Sequence, residues 1–269
     1  METTDANSIW SSAAAYESYV GRWSRLVARE FVQWLAVPAD KTWLDVGCGT
    51  GALTETLFAL ASPRYIVGAD PSEAYVDYLR RHLTNQRLCF DVGDGRDLNF
   101  DDEFYDHTVS GLALNFVPEP RHAIAEMARV TKPGGTVAVY VWDYAGEMQM
   151  LRRFWDAAVE LDPAARELDE GVRFKICKPE PLAELFRVAG LKDVAARAID
   201  VPTVFRDFED YWNPFLGGQG PAPSYAMSLS EARRAALREK VRAALPNASD
   251  GTIHLTARAW AVRGTRSHF

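Results

Sequence analysis

The chain has 269 residues, with 30 Lys and Arg against 37 Asp and Glu, giving a net charge of −7. Hydrophobic residues make up 48% and charged residues 25%, ordinary globular usage in a chain long enough to bury a sizeable core. The acidic balance gives no electrostatic pull toward nucleic acid phosphates or an anionic membrane, and no apolar run is long enough to span one.

Residues 1–12 read as a polar tail without a signal-like stretch. From Tyr16, apolar residues recur at helical spacing through Tyr19, Trp23, Val27 and Leu35 to a break at Pro38. Thr42-Trp43-Leu44-Asp45-Val46 is a short strand running into Gly47-Cys48-Gly49-Thr50-Gly51, and a helix follows over 52–61. A second strand spans 64–70, and Ser72 caps the next helix. Leu88 to Val92 is a third strand, ending in Gly93-Asp94-Gly95. Tyr105 to Ser110 is the fourth, residues 118–130 a helix, Lys132-Pro133-Gly134-Gly135 a turn, and 136–142 the fifth strand.

Strands alternating with helices through short connections predict an α/β, doubly wound, mostly parallel sheet with helices on both faces. Beyond Asp143, helices are expected at about 147–161, 179–189, 207–216 and 230–245, with β-rich runs at 194–205 and 252–262. Residues 217–223, rich in Gly and Pro, read as a mobile loop. One domain is expected: a cofactor-binding core over about 38–145, an N-terminal helix 13–37, a helical cap 146–250 and a final strand 252–263. Cys48, Cys89 and Cys177 are odd in number and lack zinc or iron–sulfur spacing. No metal is therefore expected, and the reduced cytoplasm is the expected setting.

The glycine loop leaves a strand and opens a helix, where bare backbone N–H groups and the helix's positive end can approach a nucleotide. Gly47, Gly49 and Ala52 also satisfy a dinucleotide fingerprint, and Asp70, 19 residues after Gly51, suits ribose hydroxyls in either case. The loop and Asp70 thus point to an adenosine ligand without choosing one. Asp45, at the mouth of the first strand, would repel a pyrophosphate and attract an ammonium or sulfonium. Asp94 can accept from an adenine amino group. None of the tyrosines stands four residues before a Lys, as in short-chain dehydrogenases. Acids around a glycine loop favour a cationic nucleoside.

Leu44 through Gly51, Asp70, Gly93-Asp94-Gly95 and Lys132-Pro133-Gly134-Gly135 resemble the class I S-adenosylmethionine-dependent methyltransferases. The similarity leans toward small-molecule enzymes of ubiquinone and menaquinone biosynthesis, and it covers residues 40–145 best. It implies a Rossmann-like sheet of seven strands, the last antiparallel. It also implies that Asp45, Gly47, Cys48, Gly49 and Gly51 surround the methionine moiety, Asp70 holds the ribose hydroxyls, and Pro71 and Ser72 lie beside the adenosine. Asp94 and Gly95 would meet the adenine, Ser110 and Leu112 would line the sulfonium, and Asn115 would face the acceptor. Gly95 departs from the small residue, often Ala, common there.

A sulfonium is already an activated donor, so the protein's task is positioning. Asn115, Asp143 and Tyr144 are candidates near the acceptor, and none stands out as a base. His107, at the start of the fourth strand, reads as structural. Tyr16 and Arg22 could close over the cofactor, with Arg22 pairing its carboxylate. Trp142, Trp155, Tyr211, Trp212, Phe215 and Tyr225 are candidates for the walls of an acceptor pocket. No Asn-Pro-Pro-Tyr-like segment follows the fourth strand and no Pro-Cys pair is present, which disfavours nucleic acid acceptors. The expectation is a methyltransferase for a small molecule, converting S-adenosylmethionine to S-adenosylhomocysteine, with no membrane insertion. The alternatives are an NAD(P)-dependent oxidoreductase and a non-catalytic S-adenosylmethionine-binding protein.

Overall fold

The computed structural model describes residues 17–218, 220–246 and 248–267. A π-helical turn, Glu17–Gly21, leads into α1, Arg22–Leu35. There follow β1, Thr42–Val46; α2, Ala52–Leu60; β2, Tyr65–Asp70; α3, Glu73–His82; and β3, Leu88–Val92. Next come β4, Tyr105–Gly111; α4, Pro120–Val130; β5, Thr131–Trp142; α5, Gln149–Leu161; α6, Glu170–Arg173; and α7, Pro179–Val188. The chain continues through β6, Lys192–Phe205; α8, Phe208–Trp212; α9, Pro221–Ser228; α10, Glu231–Ala244; and β7, Ile253–Thr265.

The seven strands form one sheet in the order β3-β2-β1-β4-β5-β7-β6. β1 pairs in parallel with β2 and β4, as do β2 with β3 and β4 with β5. β7 runs antiparallel to β5: Gly135 O accepts from Arg266 N, while Asp143 N donates to Arg258 O. The expected mostly parallel sheet of seven strands is therefore present. The winding direction reverses between β1 and β4, so the crevice for a ligand lies at their carboxyl ends.

Local chemistry explains these elements. β1 and β2 are buried almost end to end, Trp43, Leu44 and Ile66 at 0% exposure, as continuous apolar runs require at the centre of a parallel sheet. Ser72 caps α3 by accepting from Tyr75 N, while Arg80, Arg81 and His82 fill its last turn, where cations oppose the helix dipole. α1 buries Val27, Phe31 and Leu35 at helical spacing.

Two segments differ from the sequence reading. Lys132–Gly135 is a bulge within β5, not a turn before it: Thr131 pairs with Tyr105 and Thr136 with His107, and the register shifts between them. Gly134, at φ 76°, absorbs the extra residues, so the strand resumes instead of ending. The expected loop 217–223 gives way to α9 at Pro221, because proline is at home in a first helical turn where its missing N–H costs nothing.

The chain forms two compact units. The first takes in residues up to Trp23, Trp142–Lys175 and Asp200–Arg258. Its interior is aromatic: Phe154 stacks on Phe215 at 4.5 Å between centroids, and Trp142, Trp155, Tyr211 and Trp212 are buried with them. Five of the six rings considered as pocket walls are thus packed as core, with Tyr225 half-buried. The second unit takes in Ser24–Val141, Ile176–Ile199 and Ala259–Phe269. Cys48 and Cys177 are buried and Cys89 is half-buried. Among the described residues, no helix is long and apolar enough to cross a membrane, and no group of His, Cys, Asp and Glu could hold a metal ion.

Candidate functional site

The site grows from the carboxyl ends of β1, β2, β3 and β4, all within the second unit. Asp45, near the end of β1, is completely buried. Its Oδ2 accepts a hydrogen bond from Thr54 Oγ1 at 2.6 Å, while Oδ1 has no partner among the described residues. Burial pushes this carboxyl up to about 7, and the nearby Asp70 adds to the effect. Thr54 was missed in the sequence reading. Its signal is a hydroxyl on the buried stripe of an apolar helix, beside Leu53 and Leu57.

The loop then reverses under tight control. Gly47 N and Cys48 N both donate to Ala69 O, at 2.7 and 3.1 Å. Gly47 has φ 74°, and a Cβ there would lie 2.5 Å from that of Ala113. Gly47→Ala should therefore combine a strained backbone with an overpacked contact and lower unfolding free energy by about 1–3 kcal/mol, measurable by urea denaturation. An unchanged midpoint would contradict the close approach. Gly49 differs: a Cβ there would meet nothing within 4 Å, so its backbone borders open space. Cys48 packs with Val76, Leu79 and Phe90, and burial raises its thiol pKa, so it fills space and is no nucleophile.

Asp70 closes the loop from β2. Its Oδ2 accepts from Gly49 N and its Oδ1 from Ser72 N, each at 2.9 Å. Burial raises the pKa of this carboxyl, against the pull of those two amides. Pro71 is exposed and Ser72 half-buried. At the end of β3, Asp94 takes a forked contact from Arg96, with Nη2 at 2.6 Å from Oδ2, and this guanidinium holds its pKa low. A Cβ at Gly95 would come within 3.0 Å of Val46 Cγ1, a tight contact.

Beyond β4, Ser110 is buried, and Leu112 adopts a left-handed backbone, φ 58°, with its N–H donated to Tyr140 O. Asn115 sits in the short 3-10 turn Leu114–Phe116, 8% exposed, and neither amide atom has a hydrogen-bond partner among the described residues. A buried amide with both atoms unpaired is costly unless a ligand completes it. His107 lies toward the opposite end of β4, its ring tilted by 47° against that of Trp43 with centroids 4.6 Å apart, and burial lowers its pKa to about 4. It is a neutral packing residue.

The structure thus brings together Asp45, the glycine loop, Asp70, Asp94, Gly95, Ser110, Leu112 and Asn115 at one edge of the sheet. Pro71 and Ser72 follow Asp70 in the same unit, while Arg22, Asp143 and Tyr144 belong to the first unit. Tyr16 lies outside the described residues. Arg22 Nη1 donates to Asp210 Oδ1 at 3.1 Å, and its guanidinium lies 4.4 Å from the Trp23 ring and 4.7 Å from that of Phe205. Asp143 Oδ2 accepts from Glu147 N at 2.9 Å and ties down its own turn. Tyr144 is buried, its ring 5.3 Å from that of Phe174.

A parallel sheet with this strand order, carrying acids around a glycine turn at the switch point, defines the class of Rossmann-like nucleoside-binding enzymes. Residues 44–139 match a family described as a methyltransferase domain. A demethylmenaquinone methyltransferase of Roseiflexus castenholzii is 32% identical over 177 residues, covering 61% of this chain and 73% of the relative. One of Clavibacter sepedonicus is 37% identical over 106 residues, 39% of this chain and 42% of that relative. A solved structure from Bacillus halodurans shares the fold at TM-score 0.60 and 15% identity, over 89% of this chain and 98% of its own. The chain belongs to the S-adenosylmethionine-dependent methyltransferase family. The dinucleotide reading of the loop gives way to the methyltransferase one.

Proposed function

We propose that this enzyme moves a methyl group from S-adenosylmethionine to a small organic acceptor by direct displacement. The observation that carries the reading is Oδ1 of Asp45, a buried carboxyl oxygen without a partner among the described residues, at the base of a loop whose Gly49 borders open space. A buried acceptor of this kind calls for a donor, and a cationic one offsets the burial best. The methionine ammonium fits that requirement, whereas a pyrophosphate does not.

In this reading Asp45 holds the ammonium, and the backbone of Gly47, Gly49 and Gly51 allows the methionine moiety close approach. Asp70, already oriented by two amides, accepts from the ribose hydroxyls, with Pro71 and Ser72 alongside. Asp94 serves the adenine amino group only by sharing its carboxylate with Arg96, while the Gly95 backbone meets the ring edge. Ser110 and Leu112 line the sulfur side. The donor supplies an electrophilic methyl group, so the protein's contribution is to hold the acceptor in line and exclude water. Asn115 orients the acceptor through its unpaired amide and cannot take a proton.

A small acceptor is favoured by the net charge of −7, which gives no attraction to nucleic acid, and by relatives named for demethylmenaquinone. Calorimetric titration tests the donor site: S-adenosylhomocysteine should bind and NADH should not. The reverse result would sink the reading.

A further inference from the structure

The methyl-donor reading gives Asp94 to an adenine amino group, yet that carboxylate is already full. Arg96 N donates to Oδ1 at 2.9 Å and Arg96 Nε to the same oxygen at 3.1 Å. Arg96 Nη2 donates to Oδ2 at 2.6 Å, and Nε reaches it at 3.1 Å. A carboxylate offers about four lone-pair sites, so the guanidinium fork and the backbone amide together occupy them all. The local turn enforces this cover: Asp97 N donates to Asp94 O at 3.0 Å, which sets Arg96 at the tip, two residues from the acid. An adenine amino group is accepted only after the guanidinium withdraws, so the sharing of Asp94 is in turn and never at once.

A second carboxylate stands within reach of the displaced charge. Glu119, the N-cap residue of α4, has its Oε2 3.8 Å from Arg96 Nη1. The side chains of Arg96, Asp94 and Glu119 are 37%, 44% and 60% exposed, so the guanidinium can pass from one acid to the other without leaving water or crossing packed core. An ion pair this exposed is weak enough for a ligand to displace, as a buried one is not. The two states also differ in what they show a base. A guanidinium only donates, so while it covers Asp94 the site presents N–H groups; once it leaves, the site presents a carboxylate that only accepts.

We propose that Arg96 sets the base specificity of the methyl-donor site: its guanidinium covers Asp94 in the free protein and passes to Glu119 when a base bearing an exocyclic N–H arrives. The covered state suits a base with a carbonyl oxygen, and the uncovered state suits adenine. The inference rests on the methyl-donor reading and deepens it by naming the residue that tunes the choice of base.

The test is calorimetric titration of the full chain, as wild type and as Arg96→Met, with S-adenosylhomocysteine and with S-inosylhomocysteine, whose base carries an oxygen in place of the amino group. Methionine keeps an unbranched side chain and none of the N–H groups. In Arg96→Met, S-adenosylhomocysteine should bind about 2- to 5-fold more tightly than in wild type, the strength of the exposed pair it no longer breaks, while S-inosylhomocysteine should bind less tightly. Arg96→Lys, which keeps the charge without the fork, should fall between. The gain should shrink between about 50 and 500 mM NaCl, because salt screens the pair in wild type. Glu119→Gln should weaken S-adenosylhomocysteine about 2-fold in the wild-type background and have no effect in Arg96→Met. A purely structural Arg96 would move both ligands together and show no such coupling. Equal or weaker binding of S-adenosylhomocysteine in Arg96→Met, or an unchanged preference between the two bases, would overturn the inference and leave the methyl-donor reading standing. Absence of S-adenosylhomocysteine binding in both proteins would overturn the two together.

Discussion

Replacing Asp45 with Asn should stabilise the protein above pH 7 while weakening its hold on S-adenosylhomocysteine about 10- to 100-fold, the cost of losing a buried charge-assisted bond. The two effects have one source. Asp45 is wholly buried, and its pKa rises from 3.8 to about 7 on folding. A carboxyl whose pKa is raised in the folded state favours folding only while protonated. That contribution is complete below pH 3.8 and is lost as pH climbs through 7. Above pH 7 the folded protein carries a buried charge costing about 4 kcal/mol, which Asn removes. Asn can still accept from Thr54, but it places an N–H₂ where the unpartnered Oδ1 stood, and an ammonium finds no acceptor there. Urea denaturation at pH 6 and 8, paired with calorimetry, measures both halves. Wild-type affinity should also rise between those pH values, with protons released on binding. A variant that gains stability and keeps full affinity would show that Asp45 does not meet the ligand.

Asp70→Ala should be the more damaging change to binding, lowering affinity for S-adenosylhomocysteine about 100-fold or more and stability by about 1–3 kcal/mol. The native carboxylate spends one lone pair of each oxygen on a backbone amide, Gly49 on one side and Ser72 on the other. It thereby fastens the glycine loop to the start of α3 and aims its remaining lone pairs at whatever enters. Alanine leaves both amides unpaired and loses the acceptors for vicinal hydroxyls. Asp70→Asn separates the two roles, because it keeps one amide contact while losing the charge, and should fall between. Affinity within about threefold of wild type in Asp70→Ala would place the ribose elsewhere.

The part of this site that was legible in sequence is the part made by neighbours along the chain. Strand, left-handed glycines, helix and a strand-end acid each leave a local mark, so β1, the loop and Asp70 could be placed from their order alone. The bulge at Gly134 and the helix at Pro221 were hidden because Gly and Pro mark turns, bulges and first helical turns alike. Pairings across the fold left no mark at all. Arg22 meets Asp210 across 188 positions, and no periodicity links them. The aromatics of the first unit show the same limit, since a ring that packs a core and a ring that walls a pocket are one residue type.

The placement of the three thiols turns the chain into its own unfolding gauge. Cys48 and Cys177 are sealed in the interior and Cys89 is half-buried on β3, with no disulfide among them. A maleimide should modify Cys89 alone in the native protein and all three once the fold opens, so mass spectrometry of the adducts would count native molecules directly. Uptake of two or more labels without denaturant would show that the interior breathes on the reagent's timescale. A label on Cys89 alone would leave the cofactor loop unmodified and provide a site for a fluorophore.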